Sequence, residues 1–171
     1  MTNTDRISKD LYYLGIAKAV SQRSSCLNKH WGAVIVKDDV IVSTGFNGAP
    51  RGCKDCYEKG FCRLQEYRKA NKLGRGEGYE QCLSVHAEMN AIIQASKEEL
   101  EDSTLYLYGV EQIDMDGTWW YVRNPRPCVN CRRAIMNAKI SNVIVQTTDS
   151  NFSSFNVKSW VLNEDEITGG Y

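Results

Sequence analysis

Two short stretches of the sequence contain side chains that commonly bind metal ions. They are His86-Ala87-Glu88 and Pro127-Cys128-Val129-Asn130-Cys131. One imidazole and two thiolates suit a catalytic zinc ion, which takes three protein ligands and keeps a fourth position open for water. Such an ion lowers the pKa of its water toward neutrality. Glu88, two residues after the histidine, can take a proton from that water and deliver it elsewhere.

The sequence around both stretches predicts where they lie in the fold. Residues 87–95 are rich in helix formers with apolar residues at helical intervals, and residues 128–138 follow the same pattern after Pro125 and Pro127. The ligands are therefore expected at helix N-termini, where the helix dipole favours thiolate and hydroxide. Taken alone, His86 could be a histidine of the core, and Cys128 and Cys131 could form an incidental C-x-x-C. The combination H-x-E with P-C-x-x-C is typical of zinc-dependent nucleobase deaminases.

Composition limits the classes of protein that need consideration. A length of 171 residues predicts a single domain over residues 1–171. The hydrophobic content of 42% and charged content of 25% are ordinary for a soluble globular protein. The formal net charge of zero argues against nucleic acid as the main partner. Because residues 1–10 are polar and no apolar run is long enough to span a membrane, we expect a cytoplasmic protein without a membrane partner.

The pattern of the remaining chain predicts an α/β protein in which helices cover a mixed sheet. Leu11, Leu14, Ala17 and Val20 recur at helical spacing and predict a first helix, capped by Asp5 or Ser8. A Cys-rich polar insert follows at about residues 49–83, with a possible helix at 61–73 that Gly74 would close. The tail after residue 149 allows no assignment. The predicted strands span residues 31–36, 40–44, 104–108, 119–122 and 142–147.

Three stretches together give the chain a family resemblance. Residues 32–37 (GAVIVK), 45–52 (GFNGAPRG) and 86–93 (HAEMNAII) occur in the order found in deoxycytidylate (dCMP) deaminases of the cytidine deaminase superfamily. The chain resembles that family from about Tyr12 to Val145, and G-[FY]-N-G separates this group from tRNA adenosine deaminases and small nucleoside deaminases. The resemblance implies a three-layer α/β/α fold and hydrolysis of dCMP to dUMP and ammonia. It also implies a hexamer, often activated by dCTP and inhibited by dTTP with Mg²⁺.

The same resemblance suggests residues that bind the nucleotide. Asn47 is expected to hold the sugar or the ring, for which an amide offers both a donor and an acceptor, although a turn asparagine is the plainer alternative. The backbone N–H of Ala87 is expected to contact the pyrimidine carbonyl. An arginine fork matches the oxygens of a 5′-phosphate, although surface arginines are commonly just solvated. The candidates beside the motifs are Arg51, Arg123 and Arg126.

Five cysteines remain outside the catalytic motif. Some dCMP deaminases carry a second, structural zinc, and the resemblance assigns its ligands to Cys26, Cys56, Cys62 and Cys82. Four thiolates form a closed tetrahedral site that would pin the polar insert. Cys53 forms a C-x-x-C with Cys56 and competes for one ligand position, which spacing alone does not decide. Several buried free thiols are the alternative.

The chain departs from the family pattern between Tyr108 and Pro127. Residues 109–126 include Trp119-Trp120-Tyr121, and a turn at 115–117 predicts a hairpin whose rings pack against the sheet. A lid over the nucleotide or a subunit contact is the alternative, so the substrate stays open. The alternative substrates for a deaminase are another cytosine nucleotide or nucleoside, a pterin-like ring, or adenosine in RNA. A non-catalytic zinc protein that senses a nucleotide is the rival outside enzymes, although a sensor would not need Glu88 as a proton shuttle.

Overall fold

A mixed β-sheet runs through the centre of the computed structural model, which describes residues 6–74, 76–113 and 117–168. The strands are β1 Lys29–Lys37, β2 Val40–Phe46, β3 Thr104–Gln112, β4 Trp119–Tyr121, β5 Asn142–Gln146 and β6 Phe152–Asn156. The helices are α1 Lys9–Ser21, α2 Cys56–Lys59, α3 Arg63–Asn71, α4 Ala87–Gln94, α5 Lys97–Leu100, α6 Val129–Asn137 and α7 Val157–Leu162. Short 3₁₀ turns span Tyr79–Gln81 and Glu164–Ile167.

The sheet has the strand order β2-β1-β3-β5-β6. β3 and β5 run parallel, whereas the other neighbours are antiparallel. β5 pairs with the first part of β3, Thr104 to Leu107, and β4 pairs with its last residues, Val110 to Gln112. β4 therefore extends the sheet beside the end of β3, where the chain leaves for the P-C-x-x-C motif.

Helices cover both faces of this sheet, because the side chains of β1 alternate between two apolar layers. Val34 and Val36 join Leu14 and Ala17 of α1 on one face. Ala33 and Ile35 point to the other face, which α4, α6 and α7 cover. This arrangement confirms the predicted three-layer α/β/α fold with a mixed sheet.

Two glycines of the β1–β2 hairpin let helices approach the strand backbones closely. A Cβ atom at Gly32 would lie 2.1 Å from the carbonyl oxygen of Ala17 in α1. A Cβ atom at Gly45 would lie 2.3 Å from the carbonyl oxygen of Ala87 and 2.4 Å from the backbone nitrogen of Ala91, both in α4. α4, which begins at the H-x-E motif, therefore rests directly on the backbone of β2.

Most predicted elements are confirmed, with different ends. Ser8 caps α1 by accepting a hydrogen bond from the backbone N–H of Leu11 at 3.2 Å. The predicted 61–73 helix is α3, which begins and ends earlier, because Lys72 adopts a left-handed conformation with φ 54° and closes it in place of Gly74. Residues 115 and 116 of the predicted turn lie outside the described residues. The unassigned tail forms β6 and α7.

Membrane insertion finds no support in the helices. Across residues 6–74, 76–113 and 117–168, no helix combines the length and the apolar character needed to cross a bilayer.

Candidate active site

The two motifs converge at the N-termini of neighbouring helices, as the sequence predicts. His86 is the N-cap residue of α4, and Cys128 is the N-cap residue of α6. His86 Nδ1 lies 3.5 Å from Cys128 Sγ and 3.4 Å from Cys131 Sγ. A tetrahedral zinc ion with ordinary Zn–N and Zn–S bonds separates these atoms by about 3.5 Å. The donor set therefore fits a zinc ion in both chemistry and spacing.

No other side chains in the described ranges bring three metal-ligand atoms as close together, all within 4.8 Å of one another. A hydrogen bond from the Cys131 thiol lowers the pKa of Cys128 well below that of an ordinary thiol. The same hydrogen bond, aided by burial, raises the pKa of Cys131. One thiolate is thus already favoured, and a divalent cation would replace the proton that the two sulfurs share.

Glu88 lies inside this group, on the first turn of α4, and is only 4% exposed. Its burial raises the pKa of the carboxyl above the usual range. A carboxyl group that binds a proton more readily than usual is suited to accept and return protons near neutral pH. The preceding residue, Ala87, is buried at the first position of the helix, where a backbone N–H has no partner within the helix.

The loop that contains Asn47 lies beside the motif histidine. Gly48 and Val85 form an antiparallel bridge with backbone hydrogen bonds of 3.1 and 2.8 Å. The Asn47 amide oxygen accepts from the backbone N–H of Trp31 at 2.8 Å, and its nitrogen donates to the carbonyl of Lys29 at 2.9 Å. Each end of the amide therefore already has a backbone partner, and the amide fixes the loop on β1 while it lines the cleft described next.

A cleft of about 480 Å³ opens over the motif residues. This volume is typical of small-molecule sites. His86, Glu88 and Cys128 line one part of it. The Cys-rich insert contributes a second wall, and the ends of the β3–β4 hairpin contribute a third. The three parts are distant in sequence, and the fold brings them together around the cleft.

Charged residues that the sequence analysis missed also line the cleft. Glu111 near the end of β3 is 5% exposed and pairs with Lys29 of β1 at 3.1 Å between Lys29 Nζ and Glu111 Oε2. Arg68 of α3 lines the wall formed by the insert. A single basic residue in a polar helix looks like part of a solvated face, so the sequence contains no signal that separates Arg68 from its neighbours.

Of the three arginines proposed for the phosphate, one lines the cleft. Arg126 lines the cleft, and its Nη1 atom is 3.9 Å from Glu166 Oε2. Arg51 and Arg123 are exposed and do not line the cleft. The structure thus brings one of the three candidates to the motif residues.

The aromatic segment forms the predicted hairpin. Tyr121 packs edge-on against Tyr108, with ring centres 5.7 Å apart, and Trp119 stacks on His30 at 4.0 Å. Trp120 is 51% exposed. The rings at 119 and 121 therefore pack on the sheet and its neighbours, whereas Val122 at the end of the hairpin reaches the cleft wall.

A second cavity, of about 30 Å³, lies between the insert and the loop after α1, and Ser84 of its lining is two residues before His86. Its lining includes Cys26, Cys56, Cys62 and Cys82. Burial and then the neighbouring Cys62, Cys26 and Cys82 raise the pKa of Cys56 to about 11. Cys53 is exposed and is not part of this lining. The four cysteines line one cavity, although their sulfur atoms are not grouped as tightly as the candidate ligand atoms of His86, Cys128 and Cys131.

Comparisons with known proteins agree with this geometry. A family model described as the cytidine and deoxycytidylate deaminase zinc-binding region matches residues 7–147. A deoxycytidylate deaminase of Mycobacterium phage D29 is 34% identical over 136 residues, which cover 79% of this chain and 91% of that protein. A deoxycytidylate deaminase of Schizosaccharomyces pombe is 29% identical over 146 residues, which cover 85% of this chain but only 39% of that longer protein.

A solved structure supports the fold. The crystal structure of a dCMP deaminase from the cyanophage S-TIM5 in its apo form has a TM-score of 0.53 at 22% identity and covers 80% of this chain and 81% of that one. The family model spans most of the chain, including the H-x-E and P-C-x-x-C motifs that the fold brings together. The chain therefore belongs to the cytidine and deoxycytidylate deaminase family.

Proposed function

We propose that this chain is a zinc-dependent hydrolase that converts dCMP and water to dUMP and ammonia. The observation that carries the proposal is the arrangement of His86, Cys128 and Cys131 around the buried Glu88 at the base of a cleft large enough for a nucleotide. The names of the relatives from the mycobacteriophage and from S. pombe support dCMP as the substrate.

The proposed roles follow from the position of each group. His86, Cys128 and Cys131 would hold zinc, which supplies a Lewis acid that lowers the pKa of a water molecule. Glu88 accepts the proton of the attacking water and passes it to N3 of the pyrimidine ring. The water oxygen bonds to C4. Glu88 then moves the remaining proton of this C4 hydroxyl to the amino group, the C4–N bond breaks, and the C4 carbonyl of dUMP forms as ammonia leaves.

Binding groups around Glu88 would orient the ring for this reaction. The N–H of Ala87 lies at the start of α4, where it can donate to the pyrimidine carbonyl. Asn47 lines the cleft and would contact the nucleotide through the second N–H and the second lone pair that its backbone partners leave unused. The low exposure of Glu88 keeps bulk water from competing for its proton. Arg126 is the proposed phosphate contact among the arginines beside the motifs, because it lines the cleft. Arg51 and Arg123 remain weaker candidates on their exposed loops.

We further propose a structural zinc at Cys26, Cys56, Cys62 and Cys82. The shared cavity supports this ligand set over one that includes Cys53, and so do the pKa values of Cys56 and Cys82, which burial and the neighbouring cysteines raise. Zinc would draw the four sulfurs closer than they lie now and would fix the insert as part of the single domain.

Family membership also supports a wider proposal about assembly and control. We propose a cytoplasmic homo-hexamer that dCTP activates and dTTP inhibits, with Mg²⁺ bound to the regulatory nucleotide. Light scattering with and without each nucleotide tests the assembly, and rate measurements in the presence of each nucleotide test the control.

The substrate is tested by ammonia release from zinc-loaded protein given dCMP, CMP, deoxycytidine or dCTP. The expected result is turnover of dCMP with a kcat/KM that exceeds those of the other three compounds. Preference for another compound would replace dCMP with a different cytosine substrate. Nucleotide binding without ammonia release from any of the four would overturn the proposal in favour of a sensor.

A further inference from the structure

The cleft contains an arginine, Arg68, that has no role in the proposed reaction. Arg68 belongs to α3 in the insert, and its side chain lines the same cleft as Glu88 and Cys128. The insert and the catalytic helices thus face one space from different parts of the chain. A ligand bound at Glu88 that fills this space would also meet the insert.

The guanidinium group of Arg68 is held in place before any ligand binds. Its Nε atom donates to the carbonyl oxygen of Glu77 at 2.7 Å. The central carbon of the guanidinium lies 4.7 Å from the centre of the Tyr79 ring, which is a cation–π distance. These two contacts fix the plane of the group, so that a ligand would order it at little further entropic cost.

One nitrogen of this fixed group lacks an acceptor. Arg68 Nη2 is buried and has no hydrogen-bond partner. A buried donor without a partner is unfavourable, and each such group in a folded protein calls for an explanation such as an absent ligand. A guanidinium with an unused N–H matches phosphate oxygens in particular.

The other two cations of the cleft each lie near a carboxylate. Lys29 Nζ lies 3.1 Å from Glu111, and Arg126 Nη1 lies 3.9 Å from Glu166. Within the described part of the chain, Arg68 forms no ion pair of this kind. Its positive charge is therefore available to an anion that enters the cleft.

We infer that Arg68, alongside Arg126, binds the 5′-phosphate of the nucleotide and so selects a nucleotide over a nucleoside. This inference rests on the proposed function and adds a residue outside the motifs to its binding site. The base would lie at Glu88 on α4, and the phosphate would reach the insert. The insert would then contribute directly to substrate choice.

The test compares dCMP with deoxycytidine, which lacks the phosphate, in zinc-loaded wild type, Arg68→Gln and Arg68→Lys. For Arg68→Gln we expect kcat/KM on dCMP to fall on the order of 10- to 100-fold, as for loss of a charged hydrogen bond, mainly through KM. Activity on deoxycytidine should stay within about twofold. Arg68→Lys should recover part of the loss, since it keeps the charge but not the fork.

Lys69→Gln is the matched control. Lys69 is the next residue on α3, is exposed, pairs with Glu66 and does not line the cleft, so the same loss of charge should leave both activities unchanged. An equal loss on dCMP and deoxycytidine in Arg68→Gln, or loss of bound zinc, would overturn the inference and assign Arg68 a structural role beside Cys82. An unchanged KM for dCMP would overturn it as well.

Calorimetric binding of dUMP and deoxyuridine separates this inference from the proposed function. If wild type binds dUMP but deaminates nothing, the proposed function fails, while a selective loss of dUMP binding in Arg68→Gln would still support the phosphate site. If wild type deaminates dCMP and Arg68→Gln binds dUMP normally, the phosphate site fails and the function stands.

Discussion

At the scale of single residues, Glu88 combines a buried position with a proposed chemical role that a neutral side chain could not fill. An amide in its place keeps the shape and two polar atoms but cannot accept and return a proton. We therefore expect Glu88→Gln to keep zinc and dUMP binding while kcat falls on the order of 10²- to 10⁴-fold. Zinc content, dUMP calorimetry and ammonia release measure the three properties in one preparation.

The outcome separates a proton shuttle from a structural acid. Loss of zinc or of dUMP binding along with turnover would mean that Glu88 supports the site rather than the proton transfers. Turnover close to that of wild type would remove Glu88 from the mechanism altogether. Only a selective loss of turnover agrees with the role proposed here.

Residue patterns in the sequence identify the candidate metal ligands because the spacing within each motif is local. Cys128 and Cys131 lie three residues apart on one helical turn, and His86 and Glu88 lie two residues apart at a helix start, so each pair is close in any fold that forms these helices. Arg68 is different. Its partner Glu77 and the ring of Tyr79 meet it only through an irregular loop, which no periodicity describes.

At the scale of secondary-structure elements, the C-terminal segment holds the helix that bears two of the candidate metal ligands. Arg132 on α6 is 6% exposed, and its Nε atom donates to the carbonyl of Pro127 at 2.9 Å, one residue before Cys128. Its Nη1 atom contacts the backbone and the carboxylate of Glu166, the latter at 2.7 Å. The guanidinium also lies over the ring of Trp160 on α7.

We expect Arg132→Lys to lower zinc affinity roughly 10- to 100-fold, the usual cost when a group that orients a metal ligand is lost. A lysine cannot contact Pro127 and Glu166 with one rigid fork. Arg133→Lys is the control, because Arg133 is exposed and donates to the carbonyl of Ile167 at 3.0 Å, whereas the carbonyl of Pro127 accepts from Arg132. Titration against a chromophoric zinc chelator measures both affinities. Equal affinities in the two variants would contradict the positioning role.

The same segment shows where prediction of elements from sequence stops. β1 and β2 are β-branched runs around a short turn, and local preference is enough to predict them. β6 contains two serines and an asparagine, with no fully buried residue. It forms because it pairs with β5 from Asn142 to Gln146, a tertiary contact that local sequence does not encode.

At the scale of the whole molecule, the insert is tied to the remainder by side chains from separate segments. Cys26 follows α1, Cys56 begins α2, Cys62 precedes α3, and Cys82 follows the 3₁₀ turn at Tyr79–Gln81. Leu64 is the one apolar residue of α3 that is buried. Because so little apolar surface holds this region, its order should depend on a metal ion at the four thiols.

We expect wild type to bind two zinc ions per chain, Cys56→Ser to bind one, and Cys53→Ser to bind two, since Cys53 is exposed and outside the cavity of the four thiols. Elemental analysis counts the ions, and limited proteolysis of residues 51–82 reports the order of the insert. Cys56→Ser should be cleaved there while wild type and Cys53→Ser resist.

The dCMP activity of Cys56→Ser should fall too, because Arg68 and the wall of the cleft belong to the same insert. One zinc ion in wild type would mean free thiols, and one ion in Cys53→Ser would make Cys53 a ligand.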